Sequence, residues 1–179
     1  MLHKFREHII SNKTKILILG TFHPDINNGT DFFYGRPRNF LWRILPACFD
    51  YEDLKNATLQ EKQIFMSHFH IDFADIIHSL DNLPVGQEDN YRDDYIDNYI
   101  DEWKNIIEII RNLPDLNAVY FTRKTFSNIP NIEVKIAQIR NYCVQNCIRF
   151  CLLETPARFS NQDKINSWKA TIIHKTTCL

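Results

Sequence analysis

The side chains best suited to chemistry in this 179-residue chain gather in two short stretches. The first runs Gly20-Thr21-Phe22-His23-Pro24 and resumes at Phe32-Phe33-Tyr34-Gly35-Arg36-Pro37-Arg38-Asn39-Phe40-Leu41-Trp42. Gly20 has no side chain and lets a ligand approach the backbone closely. Phe22, Phe33 and Tyr34 offer flat apolar faces that can stack on a base, and Arg36, Arg38 and Arg43 offer partners for phosphate. Asn39 carries both a carbonyl and an NH₂, enough to orient a water or read a base edge. It also stands just ahead of an apolar helical pattern, where asparagine serves as a plain N-cap. The second stretch is Leu153-Glu154-Thr155-Pro156-Ala157-Arg158-Phe159-Ser160, followed by Lys164 and Trp168. Thr155, Arg158 and Ser160 suit phosphates or a groove, and equally a Pro-containing turn leading into a helix.

The elements around these stretches say where they must lie. Lys15-Ile16-Leu17-Ile18-Leu19-Gly20 is a short apolar run ending in glycine, the pattern of a strand buried on both faces. Ala118–Thr122 and Ile148–Leu153 are two more. Helical spacing covers Phe40–Cys48, Ile132–Gln145 and Asp163–His174. The pair Thr58-x-x-Glu61 reads as a capping box opening a helix to about Phe69. Tyr95, Tyr99, Trp103, Ile106, Ile107 and Ile110 recur at threes and fours, which predicts one long helix over Tyr91–Asn112, stopped by Leu113-Pro114. Strands alternating with helices imply a parallel sheet covered on both faces. Ligands of such sheets sit beyond the carboxyl ends of the strands, where both stretches fall.

Other clusters favour structure over chemistry. His68-x-His70-x-Asp72 would line one side of a strand as metal ligands do, but it follows a helix, whose spacing splays the three apart. Cys143, Cys147 and Cys151 are spaced by four, yet the strand at Ile148 interrupts that face; the five cysteines read as reduced thiols. Asp93, Asp94, Asp97 and Asp101 read as the solvated face of the long helix. No glycine-rich phosphate loop occurs.

Composition narrows the classes. Hydrophobic residues make up 44% and charged residues 24%, as in an ordinary globular domain, and the length suits a single domain over 1–179. No run approaches the roughly 18 apolar residues of a membrane span. Met1–Asn12 lacks the apolar core of a signal peptide, so a cytoplasmic location is expected. The formal net charge of −1 first argues against a nucleic-acid partner. Residues 81–102, however, hold eight acids and one base, a net of −7, which leaves the rest of the chain at +6. The basic surplus lies in the parts carrying the two stretches.

Together the two stretches resemble the uracil-DNA glycosylase superfamily, most closely its hypoxanthine-DNA (deoxyinosine) glycosylase branch. The matching residues are Leu19-Gly20-Thr21-Phe22 with Pro24, then Phe33-Tyr34-Gly35-Arg36-Pro37-Arg38-Asn39 and Trp42-Arg43-Ile44-Leu45. The second motif is Thr155-Pro156-Ala157-Arg158 with Ser160, Lys164 and Trp168. Ile71-Asp72-Phe73-Ala74-Asp75-Ile76-Ile77 is a weaker middle match. The resemblance implies an α/β fold, a three-layer α/β/α sandwich with a short, mainly parallel central sheet. It implies a monofunctional DNA glycosylase that flips a deaminated base, hypoxanthine or uracil, out of DNA and hydrolyses its N-glycosidic bond, with no metal or cofactor. Asn39 matches the asparagine proposed as catalytic in that branch, and His23, standing where the family goes straight to proline, could be a substitute donor. Gly20, Thr21, Phe22, Phe33, Tyr34 and Thr155 would bind the base, and Arg36, Arg38, Arg158, Ser160 and Lys164 the DNA. A monomer is expected. Two positions depart from the wider superfamily: Phe22 stands where many members carry Asp or Asn, and Glu154 where many carry His. An anion at Glu154 would oppose charge building on the departing base. The alternative is a non-catalytic nucleic-acid or nucleotide-binding domain on the same fold. Either way, Phe22, Tyr34, Asn39 and the Thr155–Ser160 loop should converge on one cleft.

Overall fold

The apolar run ending at Gly20 forms β1 (Ile16–Gly20), with Leu17, Ile18 and Leu19 wholly buried in the computed structural model, which describes residues 1–26, 29–87, 89–90 and 92–174. It pairs in parallel with β2 (Ile71–Asp75) on one side and β5 (Ala118–Phe121) on the other, and β5 pairs in parallel with β6 (Arg149–Leu152). The order β2-β1-β5-β6 places β1 centrally and puts Gly20 directly beside Asp75.

Side chains of β1 alternate between two apolar layers. Leu17 and Leu19 face a cluster with Val119, Phe121 and the inner faces of α4 (Ile106–Arg111) and α5 (Pro130–Gln145). Ile18 faces the other way, with Phe73 and Tyr120, onto α1 (Leu41–Cys48), α2 (Leu59–Phe69) and α6 (Gln162–Ile172). Helices thus cover both faces of a parallel four-stranded sheet, an α/β/α sandwich. The capping box at Thr58 and Glu61 forms as expected.

The segment over Tyr91–Asn112 is not one helix. It contains α3 (Asp93–Ile96), β4 (Ile100–Trp103) and α4; Tyr91 itself lies outside the described residues. β4 pairs antiparallel with β3 (Ile77–Leu80), which follows β2 after a single residue and forms a small ribbon apart from the main sheet. One continuous helix would have stacked Asp93, Asp97 and Asp101 four residues apart on one face, where like charges repel. The observed break separates them. Asp97 is buried and accepts hydrogen bonds from the backbone N–H groups of Asn131 and Ile132, capping the first turn of α5. Asp101 accepts from the Ser79 hydroxyl, and Asp94 pairs with Arg92. The acids are therefore not one solvated face.

His68 lies on α2, His70 ends that helix with a left-handed φ of 55°, and Asp72 accepts from His8 and the Ser11 N–H. Among the described residues no three such groups are arranged to hold a metal. Cys48 and Cys143 are buried free thiols and Cys147 an exposed one; Cys151, contrary to the reading of five reduced thiols, is disulfide-bonded. No described helix is long and apolar enough to cross a membrane.

Candidate active site

The two motif stretches are joined through their backbones. Phe40 N–H donates to the Pro156 carbonyl at 2.8 Å, and Arg158 N–H to the Arg38 carbonyl at 2.9 Å. Asn39 and Ala157 thereby form an isolated antiparallel bridge between segments far apart in sequence. At the carboxyl end of the sheet the stretches enclose a cavity of about 240 Å³. Its walls include Gly20, Thr21, Phe22, His23, Tyr34, Arg36, Arg38, Asn39 and Thr155, so the expected convergence occurs. A space this small suits one flat ring system.

Two strand ends and a loop make the floor. Asp75 ends β2 and is 5% exposed. Its Oδ2 accepts from His3 Nε2 at 2.7 Å. Because His3 Nδ1 itself accepts the Phe5 N–H at 3.0 Å, the imidazole proton sits on Nε2. Asp75 Oδ1 has no donor among the described residues and lies over Gly20. A Cβ at position 20 would meet that oxygen at 2.1 Å and the Tyr34 hydroxyl at 2.8 Å, so the floor exists only because residue 20 is glycine. Burial pushes the Asp75 carboxyl up, but the hydrogen bond from His3, with the electrostatic pull of the neighbouring histidines and Arg36, outweighs it and holds it below the usual range. Tyr34, at φ 57°, aims its hydroxyl at Thr122 Oγ1, 3.1 Å away, and burial raises its pKa well above the ordinary value, so it stays a neutral phenol.

His23 is 3% exposed, and its Nε2 is buried without a hydrogen-bond partner among the described residues. Desolvation drives its pKa from 6.5 to about 4, Asp75 opposing, so the ring is neutral at physiological pH. Asn39 stands one residue before Phe40, the N-cap of α1, and its Oδ1 accepts the Leu41 N–H at 3.0 Å. That bond fixes the amide and leaves its NH₂ as the group available to the cavity. The plain N-cap reading of Asn39 gives way, because the N-cap of α1 is Phe40 and it has no side-chain cap bond.

Next to the cavity runs an open groove of about 890 Å³ with Arg92, Arg123, Lys124 and Arg158 along it. Arg158 is exposed at φ 76°, on the turn that follows Pro156. Glu154 belongs to this groove and not to the cavity; its Oε1 accepts from Ser167 and lies 3.6 Å from Lys124 Nζ. Its charge is therefore turned away from the cavity.

Phe33 and Ser160 sit elsewhere, and Lys164 reaches the groove with its ammonium already engaged. Phe33 is 1% exposed and packs at 4.7 Å from the Phe5 ring and 6.1 Å from Phe73; it is core rather than cavity wall. Lys164 is 4% exposed, and its ammonium donates to the carbonyls of Thr155, Ala157 and Phe159 at 3.0, 3.4 and 2.9 Å. All three N–H bonds are spent on holding the second loop, so Lys164 is a staple and not a phosphate contact. Ser160 is half-buried and borders neither cavity nor groove. Conversely, Asp75, Asp93, Thr122 and His3 belong to the site or support it without having been singled out. Asp75 was accessible from its place at the carboxyl end of a strand, within the middle motif. Nothing in the pattern separated Asp93 from the surrounding acids.

No family model matches the chain, and no curated protein does. Among solved structures it is similar to a protein of Methanosarcina acetivorans whose solution NMR structure is titled as that of a "putative Uracil DNA glycosylase". The two share 18% sequence identity over 92% of each chain, with a TM-score of 0.63. This chain has a uracil-DNA-glycosylase-like α/β fold.

Proposed function

We propose that the protein is a DNA glycosylase that hydrolyses the N-glycosidic bond of a flipped deaminated base, hypoxanthine or uracil, in base excision repair. The observation that carries this reading is the joining of two sequence-distant motifs into one base-sized cavity beside an open groove where Arg92, Arg123 and Lys124 are ion-paired with acids and Arg158 is exposed. In it, Phe22 and Tyr34 give the base its apolar walls. The open oxygen of Asp75 accepts a ring N–H. Hypoxanthine and uracil present such a donor beside a carbonyl, whereas adenine and cytosine present a lone pair there. His23, neutral and unpartnered, donates to a base carbonyl as negative charge builds on the departing ring. The amide of Asn39 orients the attacking water or the scissile nucleotide, and Arg158, Arg38 and Lys124 meet phosphates. No step requires a metal or cofactor.

Single-turnover assays on duplexes carrying inosine, uracil or xanthine test the proposal. Abasic product on at least one duplex is expected; none on any, at enzyme in large excess, rejects it. One observation favours the non-catalytic alternative: a carboxylate in the cavity opposes the charge that a departing base acquires. That reading predicts salt-sensitive DNA binding without base release.

A further inference from the structure

Among the described residues, Asp93 is the one ionisable side chain that borders both the cavity and the groove. If the cavity takes the base and the cations of the groove take the phosphates, the sugar and its C1′ must sit at their junction. Among the described residues only Asp93, Thr155 and Ala157 border both spaces. Hydrolysis there needs a group that can accept a proton from water, which neither the amide of Asn39 nor the hydroxyl of Thr155 does near neutral pH. Asp75 is held at the floor by His3, and His23 lines the cavity alone.

We propose that Asp93 is the catalytic carboxylate that takes the proton of the attacking water at C1′, with Asn39 orienting that water. The inference rests on the glycosylase reading. The glycosidic electron pair leaves with the base nitrogen, the water oxygen forms the new bond to C1′, and its proton passes to Asp93. Solvent then returns a proton to the base. As an anion Asp93 also stabilises the positive charge developing on the sugar. Its carboxylate is fixed by the Arg123 guanidinium, from the segment after β5, which suits a group that must act without reorganising. Burial raises its pKa, against the pull of Arg123, Thr21 and Arg36, which brings a carboxyl closer to the working pH of a general base.

The test compares wild type with Asp93→Asn and Asp93→Glu on whichever duplex wild type cleaves. Single-turnover rates, duplex affinity and thermal melting are read together. Asp93→Asn should lose about 100-fold or more in rate, the scale of general-base catalysis, while duplex affinity changes less than about threefold. Wild-type rate should fall as pH drops through the Asp93 pKa, and that acidic limb should vanish from the residual rate of Asp93→Asn. Asp93→Glu should restore part of the rate with an acidic limb, which supplies the decision if the asparagine variant does not fold. A fully active Asp93→Asn overturns this inference alone and leaves the glycosylase reading standing. A rate loss matched by loss of affinity, with the limb intact, also overturns it. A wild type inert on all three duplexes overturns both.

Discussion

The cavity is built in two different ways at its two ends. At the floor, Gly20 and Asp75 are neighbours in a parallel ladder, and Thr122 follows directly on β5. At the rim, Asp93, Arg123 and the Thr155–Arg158 turn come from loops and a four-residue helix. The two carboxylates follow suit. Asp75, held by the His3 hydrogen bond, is pulled down; Asp93, half-buried and desolvated beside a guanidinium, is pushed up. Two carboxyl groups with opposed tendencies in one cavity can divide the labour of recognising and reacting. The lesson is that rigidity here comes from strand register at the floor and from explicit polar staples at the rim.

That contrast can be broken from the floor first. Gly20→Ala places a methyl 2.1 Å from Asp75 Oδ1, so base excision should fall below detection and stability should drop by about 1–3 kcal/mol, the cost of overpacking. Excision assays and urea denaturation measure both, and wild-type excision would show that the floor yields.

A second floor test uses His23. Its folded pKa of about 4 lies below the unfolded 6.5, so between those values the unfolded chain binds more protons. Stability from this group is complete above pH 6.5 and is lost as pH falls toward 4, by about 3 kcal/mol. Asp75, held low, adds its own loss only below its ordinary pKa of 3.8. Urea midpoints between pH 7 and 4 should fall in wild type and much less in His23→Gln; parallel slopes would remove the buried neutral histidine from the account.

The rim responds less. Lys164→Met strands three carbonyls, and a cost of about 1–3 kcal/mol is expected in denaturant melts. Duplex affinity should suffer only as far as the loop loosens, and an unchanged midpoint would show that water replaces the staple. Smallest of all, Arg158→Ala should shift stability by less than about 0.5 kcal/mol while lowering the salt dependence of duplex binding by about one ion. An unchanged salt slope would take Arg158 out of the phosphate contacts.

The strand leading into the floor was legible in the sequence because it obeys local rules, whereas Asp75 and Thr122 reach the floor from other strands. The apolar run into Gly20 and the Thr58–Glu61 cap are decided by neighbours in the chain, and both elements form. The Phe33 and Tyr34 pair shows the limit of residue type: adjacent side chains on an irregular loop went one to the core and one to the cavity. Lys164 looked like a phosphate ligand because sequence cannot show that three carbonyls of its own loop surround it. The acidic stretch misled because its apolar spacing suited a helix. What decided otherwise was the ribbon partner Ile77–Leu80 and the bare amide ends of α5, both outside the window in which periodicity is read.

The two backbone bonds joining Phe40 to Pro156 and Arg158 to Arg38 have a consequence for how the molecule breathes. Neither motif loop can swing out without breaking the other's amide bond, so the pair should open as one cooperative unit. In deuterium exchange the amides of Phe40 and Arg158 would then share one protection factor despite lying more than a hundred positions apart. A ligand seated in the cavity would slow both together.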